Sequence, residues 1–167
     1  MKLNLREIIE SQSGSVPFEC LLDTQRLDFP SVKEYISPPR AVGRVVNTAG
    51  ALTLEGTLRA DMICLCDRCG AEFPYSKTME LSVPVAEELA DEENPDIFLL
   101  EGDFLDLDDV LETCFILDMD LKFLCRPDCA GLCESCGANL NLGPCGCKAK
   151  IDPRMAVLEQ LLDNKDE

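Results

Sequence analysis

Eight cysteines stand in four close pairs: Cys66-x2-Cys69, Cys125-x3-Cys129, Cys133-x2-Cys136 and Cys145-x-Cys147. Thiolate is a soft ligand, and Zn2+ takes four of them in tetrahedral structural sites, with bonds of about 2.3 Å. A close pair lets a single turn present two ligands at little backbone cost. Eight paired cysteines therefore predict two zinc sites of four thiolates each. Two pairs carry a further mark. Cys66-Asp67-Arg68-Cys69-Gly70 and Cys133-Glu134-Ser135-Cys136-Gly137 are both C-x-x-C-G. Glycine after the second cysteine permits the left-handed turn that aims backbone N–H groups at thiolate sulfur. That is the signature of a zinc knuckle.

Spacing allows two partitions. In the favoured one, Cys133, Cys136, Cys145 and Cys147 form a local site across the short loop from Gly137 to Pro144. Cys66 and Cys69 then join Cys125 and Cys129, tying a hairpin tip to the C-terminal segment. In the other partition, Cys125, Cys129, Cys133 and Cys136 form the local site. Competing chemistries fit less well. Disulfides belong to secreted chains. A redox C-x-x-C opens a helix in a thioredoxin-like pattern, whereas Cys66 and Cys69 lie between strand-like runs. An iron–sulfur cluster also takes four cysteines, but no C-x2-C-x2-C run is present. Four thiolates leave no open position for water, so the predicted sites are structural. Cys20, Cys64 and Cys114 stand alone, and a lone cysteine usually behaves as a small buried apolar residue.

Composition narrows the function. The chain has 167 residues, with 32 acidic and 15 basic side chains, a net charge of -17 and no histidine. Without histidine there is no Ser-His or Cys-His catalytic pair and no imidazole ligand. The acidity argues against a broad nucleic-acid footprint, which needs a basic face. No P-loop, dinucleotide fingerprint or nucleophile elbow occurs, and no enzymatic activity is expected. No apolar run approaches the roughly 18 residues of a membrane span. Met1 to Glu7 lacks the apolar stretch of a signal peptide. The expected location is the cytoplasm, with no membrane partner.

The elements that position the cysteines follow from periodicity. Leu52, Leu54, Gly56, Leu58, Ala60 and Met62 alternate with polar residues, as do Phe73, Tyr75, Met79, Leu81, Val83 and Val85. A period of two describes strands with one buried face. Lys77 interrupts the apolar series without breaking the period, and Pro84 marks an edge or a strand end. With Arg40 to Val46 these runs predict at least three antiparallel strands, with a turn at Ala49-Gly50 and the first knuckle at a hairpin tip. Upstream, Leu3 to Ile9 fits a strand or a short helix, Ser11 to Ser15 a loop, and Val16 to Leu22 a strand. Residues 87 to 120 hold 14 acids and no lysine or arginine. Within them Asp91 to Pro95 reads as a loop. Asp106 then caps a predicted helix whose apolar stripe is Leu107, Val110, Leu111, Cys114 and Leu117. Asp152-Pro153 opens a final predicted helix, with Met155, Leu158, Leu161 and Leu162 on one face. The predicted fold class is α+β: an antiparallel β-meander, open or closed into a barrel, at least two helices and a C-terminal zinc-knuckle segment. Residues 1–120 form the α+β domain. Residues 121–167 form a cysteine-rich segment with a closing helix, packed on the first.

The run from Cys125 to Asn141 (CRPDCAGLCESCGANLN), followed by Cys145-Gly146-Cys147 and Asp152-Pro153-Arg154, resembles the YceD family of large ribosomal RNA subunit accumulation proteins. Cys66-Asp67-Arg68-Cys69 fits that family's C-x-R-C motif, and the aspartate-rich start of the predicted helix fits as well. The likeness runs from about Arg40 to Leu162. It implies a bacterial cytoplasmic protein, related to plastid proteins, that is needed for normal accumulation of 23S ribosomal RNA and has no known catalytic activity. Members differ in their C-terminal cysteines, and this chain carries the fuller set.

Two routes lead to such a role. Lys122, Arg126, Lys148, Lys150 and Arg154 outnumber Asp128, Glu134 and Asp152 between residues 122 and 154. They make a small basic patch able to touch RNA phosphate or a partner. The plainer reading is that they are solvated, or screen the thiolates. The acids from Glu87 to Asp120 suit a basic ribosomal protein or assembly factor through long-range attraction. The plainer reading there is a loop that keeps the chain soluble. The expected function is a non-enzymatic zinc-binding factor supporting 23S rRNA accumulation and large-subunit biogenesis. Its expected partner is a large-subunit precursor or a basic ribosomal or assembly protein. The alternatives are an acidic adaptor for a basic protein and a thiol redox sensor that releases zinc on oxidation.

Overall fold

A computed structural model describes residues 1–87 and 97–147. Its elements are β1 (Lys2–Asn4), α1 (Arg6–Ser11), β2 (Ser13–Leu21), a 3-10 turn (Thr24–Arg26), β3 (Val32–Tyr35), β4 (Arg40–Thr48), β5 (Ala51–Leu65), β6 (Glu72–Ala86), β7 (Phe98–Leu99), β8 (Phe104–Asp106) and α2 (Leu107–Asp118). The chain divides into two units, Met1–Asp67 with Ala71–Cys125, and Arg68–Gly70 with Arg126–Glu167.

The first unit is mostly sheet. Strands run in the order β2-β4-β5-β6-β7, with β3 also paired to β5, while β1 and β8 form a separate pair. Among the described residues the sheet is open, not closed into a barrel, and it is not a pure meander, because β6 and β7 pair in parallel. β4, β5 and β6 are the three antiparallel strands expected from the alternation, and β5 turns from β4 through Ala49-Gly50, both with positive φ. That is the turn geometry that matches strand twist in a two-residue hairpin. The inward positions Leu52, Leu54, Leu58, Ala60, Met62, Leu81, Val83 and Val85 are buried, and their neighbours in sequence face outward. Gly43 and Gly56 face each other across β4 and β5, where an added Cβ at Gly43 would lie 2.2 Å from the Glu55 carbonyl oxygen. Only hydrogen fits at that crossing.

The chain from Leu3 to Ile9 divides between the two readings, a three-residue strand followed by a short helix. Ser13 to Ser15, expected in a loop, extend β2, because each pairs with β4 from Thr48 to Val46. Long-range ladder hydrogen bonds outweigh the low strand preference of serine and glycine there.

Asp106 does cap α2, its side chain accepting from the Asp108 amide at 3.1 Å, with Asp108 and Asp109 in the first turn. The buried face is Leu107, Val110, Leu111, Glu112 and Phe115, however, and Leu117 is 80% exposed. At about 100° per residue, Phe115 lies about 80° round the helix from Leu107 on one side and Leu117 about 80° on the other, and at this end of the helix it is the Phe115 side that is buried. Phe115 is fully buried and meets Phe29 edge to face at 6.0 Å. Lys77 keeps its place on the inward side of β6 by pairing with Asp118 at 3.1 Å and Asp120 at 3.3 Å.

In the second unit the described residues hold a compact turn system. Leu132 and Asn139 form an antiparallel bridge, and the Leu140 amide donates to the Gly131 carbonyl at 2.9 Å. The final helix expected from Asp152 onward lies outside the described residues.

Candidate metal centre

Both knuckles have the same backbone construction. The Cys66 amide donates to the Ala71 carbonyl at 2.9 Å, and the Cys133 amide donates to the Ala138 carbonyl at 2.8 Å. In each case the glycine after the second cysteine is left-handed, Gly70 at φ +67° and Gly137 at φ +71°. The first knuckle follows directly on Leu65, whose partner Glu72 begins the returning strand, so it is the tip of the β5–β6 hairpin. The second caps the small Leu132–Asn139 bridge. The two C-x-x-C-G runs are thus one motif built twice.

The thiols assemble into two groups. Cys66, Cys69, Cys125 and Cys129 form the first, and Cys133, Cys136, Cys145 and Cys147 the second. Within each group all four Sγ atoms lie within 4.8 Å of one another. A tetrahedron with bonds of about 2.3 Å requires sulfurs roughly 3.8 Å apart, so both donor sets fit a soft divalent ion such as zinc. These groups correspond to the favoured of the two partitions that spacing allows. They differ in environment. Cys66, Cys69 and Cys129 are buried, whereas Cys136 and Cys147 are exposed.

Residues between and around the ligands hold these turns in place. Asp67, inside the first knuckle, accepts from the Phe123 amide at 2.6 Å and from the Ser31 hydroxyl at 2.7 Å. Its own amide donates to the Phe123 carbonyl at 2.9 Å. Those hydrogen bonds hold the Asp67 carboxyl below its usual range, Ser31 contributing most. Phe123 is buried and packs edge to face on Tyr75 at 5.2 Å, so the chain entering Cys125 is fixed by the core. Arg68 donates from Nη1 to the Cys129 carbonyl at 2.8 Å. Asn141 donates from Nδ2 to Cys129 Sγ at 3.3 Å. None of Asp67, Arg68 and Asn141 was assigned a role from sequence. The available signals were the arginine of C-x-R-C and the Asn139-x-Asn141 pattern, since asparagine commonly bonds backbone two residues on.

Within the second group, a hydrogen bond from Cys145 and the backbone amides of Cys136 and Ser135 pull the Cys133 thiol down to about 7. Cys147 is pushed up to about 11, first by its hydrogen bond with Cys136. Burial pushes Cys20 and Cys64 up to about 11, which suits inert thiols in the core. Burial also raises Cys114.

Of the basic residues considered for RNA or partner contact, Lys122 is exposed. Arg126 is engaged within its own unit, with Nη2 on Asn141 Oδ1 at 2.6 Å and Nε 3.5 Å from Asp128. Lys148, Lys150 and Arg154 lie outside the described residues. No helix among the described residues is long and apolar enough to cross a membrane.

Comparison with known proteins places these cysteines in a wider context. A family profile described as "Large ribosomal RNA subunit accumulation protein YceD" matches residues 54–162, a stretch that contains all eight paired cysteines. The chain is 26% identical over 137 residues to the uncharacterized protein YlbN of Bacillus subtilis, covering 79% of this chain and 78% of that protein. It is 28% identical over 123 residues to an uncharacterized protein of Mycobacterium tuberculosis, covering 71% and 59% respectively. It is 28% identical over 139 residues to the maize protein named large ribosomal RNA subunit accumulation protein YCED homolog 1, chloroplastic, covering 64% and 47%. The chain thus spans less than two thirds of the mycobacterial and maize relatives. No solved structure matches.

Proposed function

The chain belongs to the YceD family of large ribosomal RNA subunit accumulation proteins, and from that premise we propose that it is a non-enzymatic, zinc-stabilised factor supporting accumulation of the 23S ribosomal RNA in the bacterial cytoplasm. The observation that carries this reading is the family match across residues 54–162, which includes every residue of both four-cysteine groups. Zinc suits the donor set, because four thiolates favour it and leave no position for a reactive water. Its work here is to hold turns, not to activate a substrate. Two ions with four thiolates each add about -2 apiece to a chain already at -17. Arg126 is meanwhile tied to Asp128 and Asn141. Both facts favour a protein partner, a basic ribosomal protein or assembly factor, over direct contact with RNA phosphate.

The test is depletion of the protein in its own host, reading the ratio of 23S to 16S rRNA. A selective fall in 23S, restored by the wild-type gene, is expected. An unchanged ratio overturns the ribosomal role. Separately, the purified chain is expected to carry two zinc ions, counted by elemental analysis.

A further inference from the structure

Asn141 sits in the loop between Cys136 and Cys145, both members of the second four-cysteine group, yet its side chain serves the first. Its Nδ2 donates to Cys129 Sγ at 3.3 Å and to Asn139 Oδ1 at 2.8 Å. Its Oδ1 accepts from the Ala130 amide at 2.8 Å and from Arg126 Nη2 at 2.6 Å. The orientation of the amide follows from these four partners. Turned over, it would set its NH2 against two donors and its oxygen against an acceptor and a thiolate. The Asn141 amide nitrogen also donates to Asn139 Oδ1 at 3.0 Å, so the residue is held by its own turn.

We propose that Asn141 is a positioning residue that couples the two metal sites, ordered by the ion of the second group and steadying Cys129 as a ligand of the first. This rests on the metal reading above. An ion bound by Cys133, Cys136, Cys145 and Cys147 closes the loop from Gly137 to Pro144 at both ends and fixes Asn141 within it. The fixed amide then donates to Cys129 sulfur, which favours the deprotonated thiolate that a metal needs and holds that sulfur in place. Linkage makes the effect reciprocal. An ion on Cys129 holds Asn141, and with it the loop that the second group needs.

The variant that separates this role from a merely structural one is Asn141→Asp. Aspartate keeps the acceptor for the Ala130 amide and for Arg126, so the turn retains those bonds. It replaces the N–H donors with a carboxylate oxygen facing sulfur. The full-length chain is loaded with Co2+, whose thiolate charge-transfer and d–d bands report each tetrahedral site. Each site is then titrated against a competing chelator. A Cys145→Ser/Cys147→Ser background, which lacks the second site, identifies the bands of the first. Asn141→Asp is expected to weaken the first site by about 10–100-fold while total uptake at saturation stays at two ions. Loss of the second site is expected to weaken the first as well, and the two lesions together to cost less than their product. If the wild-type chain takes up two ions and the first site is indifferent to Asn141→Asp, or the lesions multiply independently, the coupling is overturned and the metal reading stands. If the wild-type chain takes up no ion, both are overturned.

Discussion

Gly70 offers a perturbation whose size can be worked out from local geometry. Its φ is +67°, and an added Cβ would meet no atom within 4 Å. Gly70→Ala therefore introduces no collision. What remains is the cost of holding an L-residue left-handed, about 1–2 kcal/mol. The knuckle uses that conformation to turn the chain back, so that the Ala71 carbonyl accepts from the Cys66 amide. If the turn relaxes when no ion is held, the whole cost appears in metal affinity, about 5- to 30-fold at 1.4 kcal/mol per tenfold. If the turn persists without an ion, the same cost appears in folding stability. Chelator competition and urea denaturation of the metal-free chain together capture both. Gly70→Asn should do less harm than Gly70→Ala, since asparagine visits the left-handed region more readily. Gly43→Ala is the contrast, because its Cβ would collide with the Glu55 carbonyl in the sheet. That change should lower stability and leave the metal sites alone. The reasoning is refuted if Gly70→Ala matches wild type in both assays, or if asparagine is as damaging as alanine.

Three further outcomes are expected. Cys133→Ser should lower the metal-to-protein ratio by one ion, and Cys114→Ser, on α2 and outside both groups, should leave it unchanged; equal loss would contradict the ligand assignment. Phe115→Ala, at a fully buried position against Phe29, should cost about 3–5 kcal/mol, measured from the denaturant midpoint. Glu112 is buried beside Arg26, whose Nη1 lies 3.1 Å away, and burial raises its carboxyl above the usual 4.5 despite that partner. The folded state then binds this proton more tightly than the unfolded chain, so the Glu112 contribution to stability falls as pH rises from 4.5 through the raised value. Denaturation of wild type and Glu112→Gln across that window should show the two curves separating in favour of glutamine as pH climbs, and a constant difference would refute the assignment.

What was legible in the sequence was whatever a local pattern controls. The alternation in β5 and β6 showed because one face of each strand is buried, and the knuckles showed because cysteine spacing and a following glycine are local demands. The N-cap at Asp106 was visible for the same reason. Ser13 to Ser15 were misread because their strand character comes from β4, distant in sequence. Leu117 was misread because it continues the helical period while Phe115 finds the core. The two-residue parallel pairing of β7 left no local trace. Arg68 and Asn141 were present in recognisable motifs, but their partners at Cys129 are 61 and 12 residues away, beyond what spacing reveals.

The prolines of the sheet have a consequence for how copies of this chain meet. Pro17 lies in β2, and Pro74 and Pro84 lie in β6, while the interior strands β4 and β5 contain none. Among the described residues, β2 ends the strand order on one side, and on the other β7 covers β6 only at Val85 and Ala86. A proline in an edge strand turns the missing N–H outward. A strand from a second copy approaching either border therefore finds the hydrogen-bonding template interrupted, with Glu72 and Glu80 exposed along β6. The prolines and charges of the border strands thus work against fibre-like growth by edge-to-edge pairing, a guard that does not draw on the cysteines.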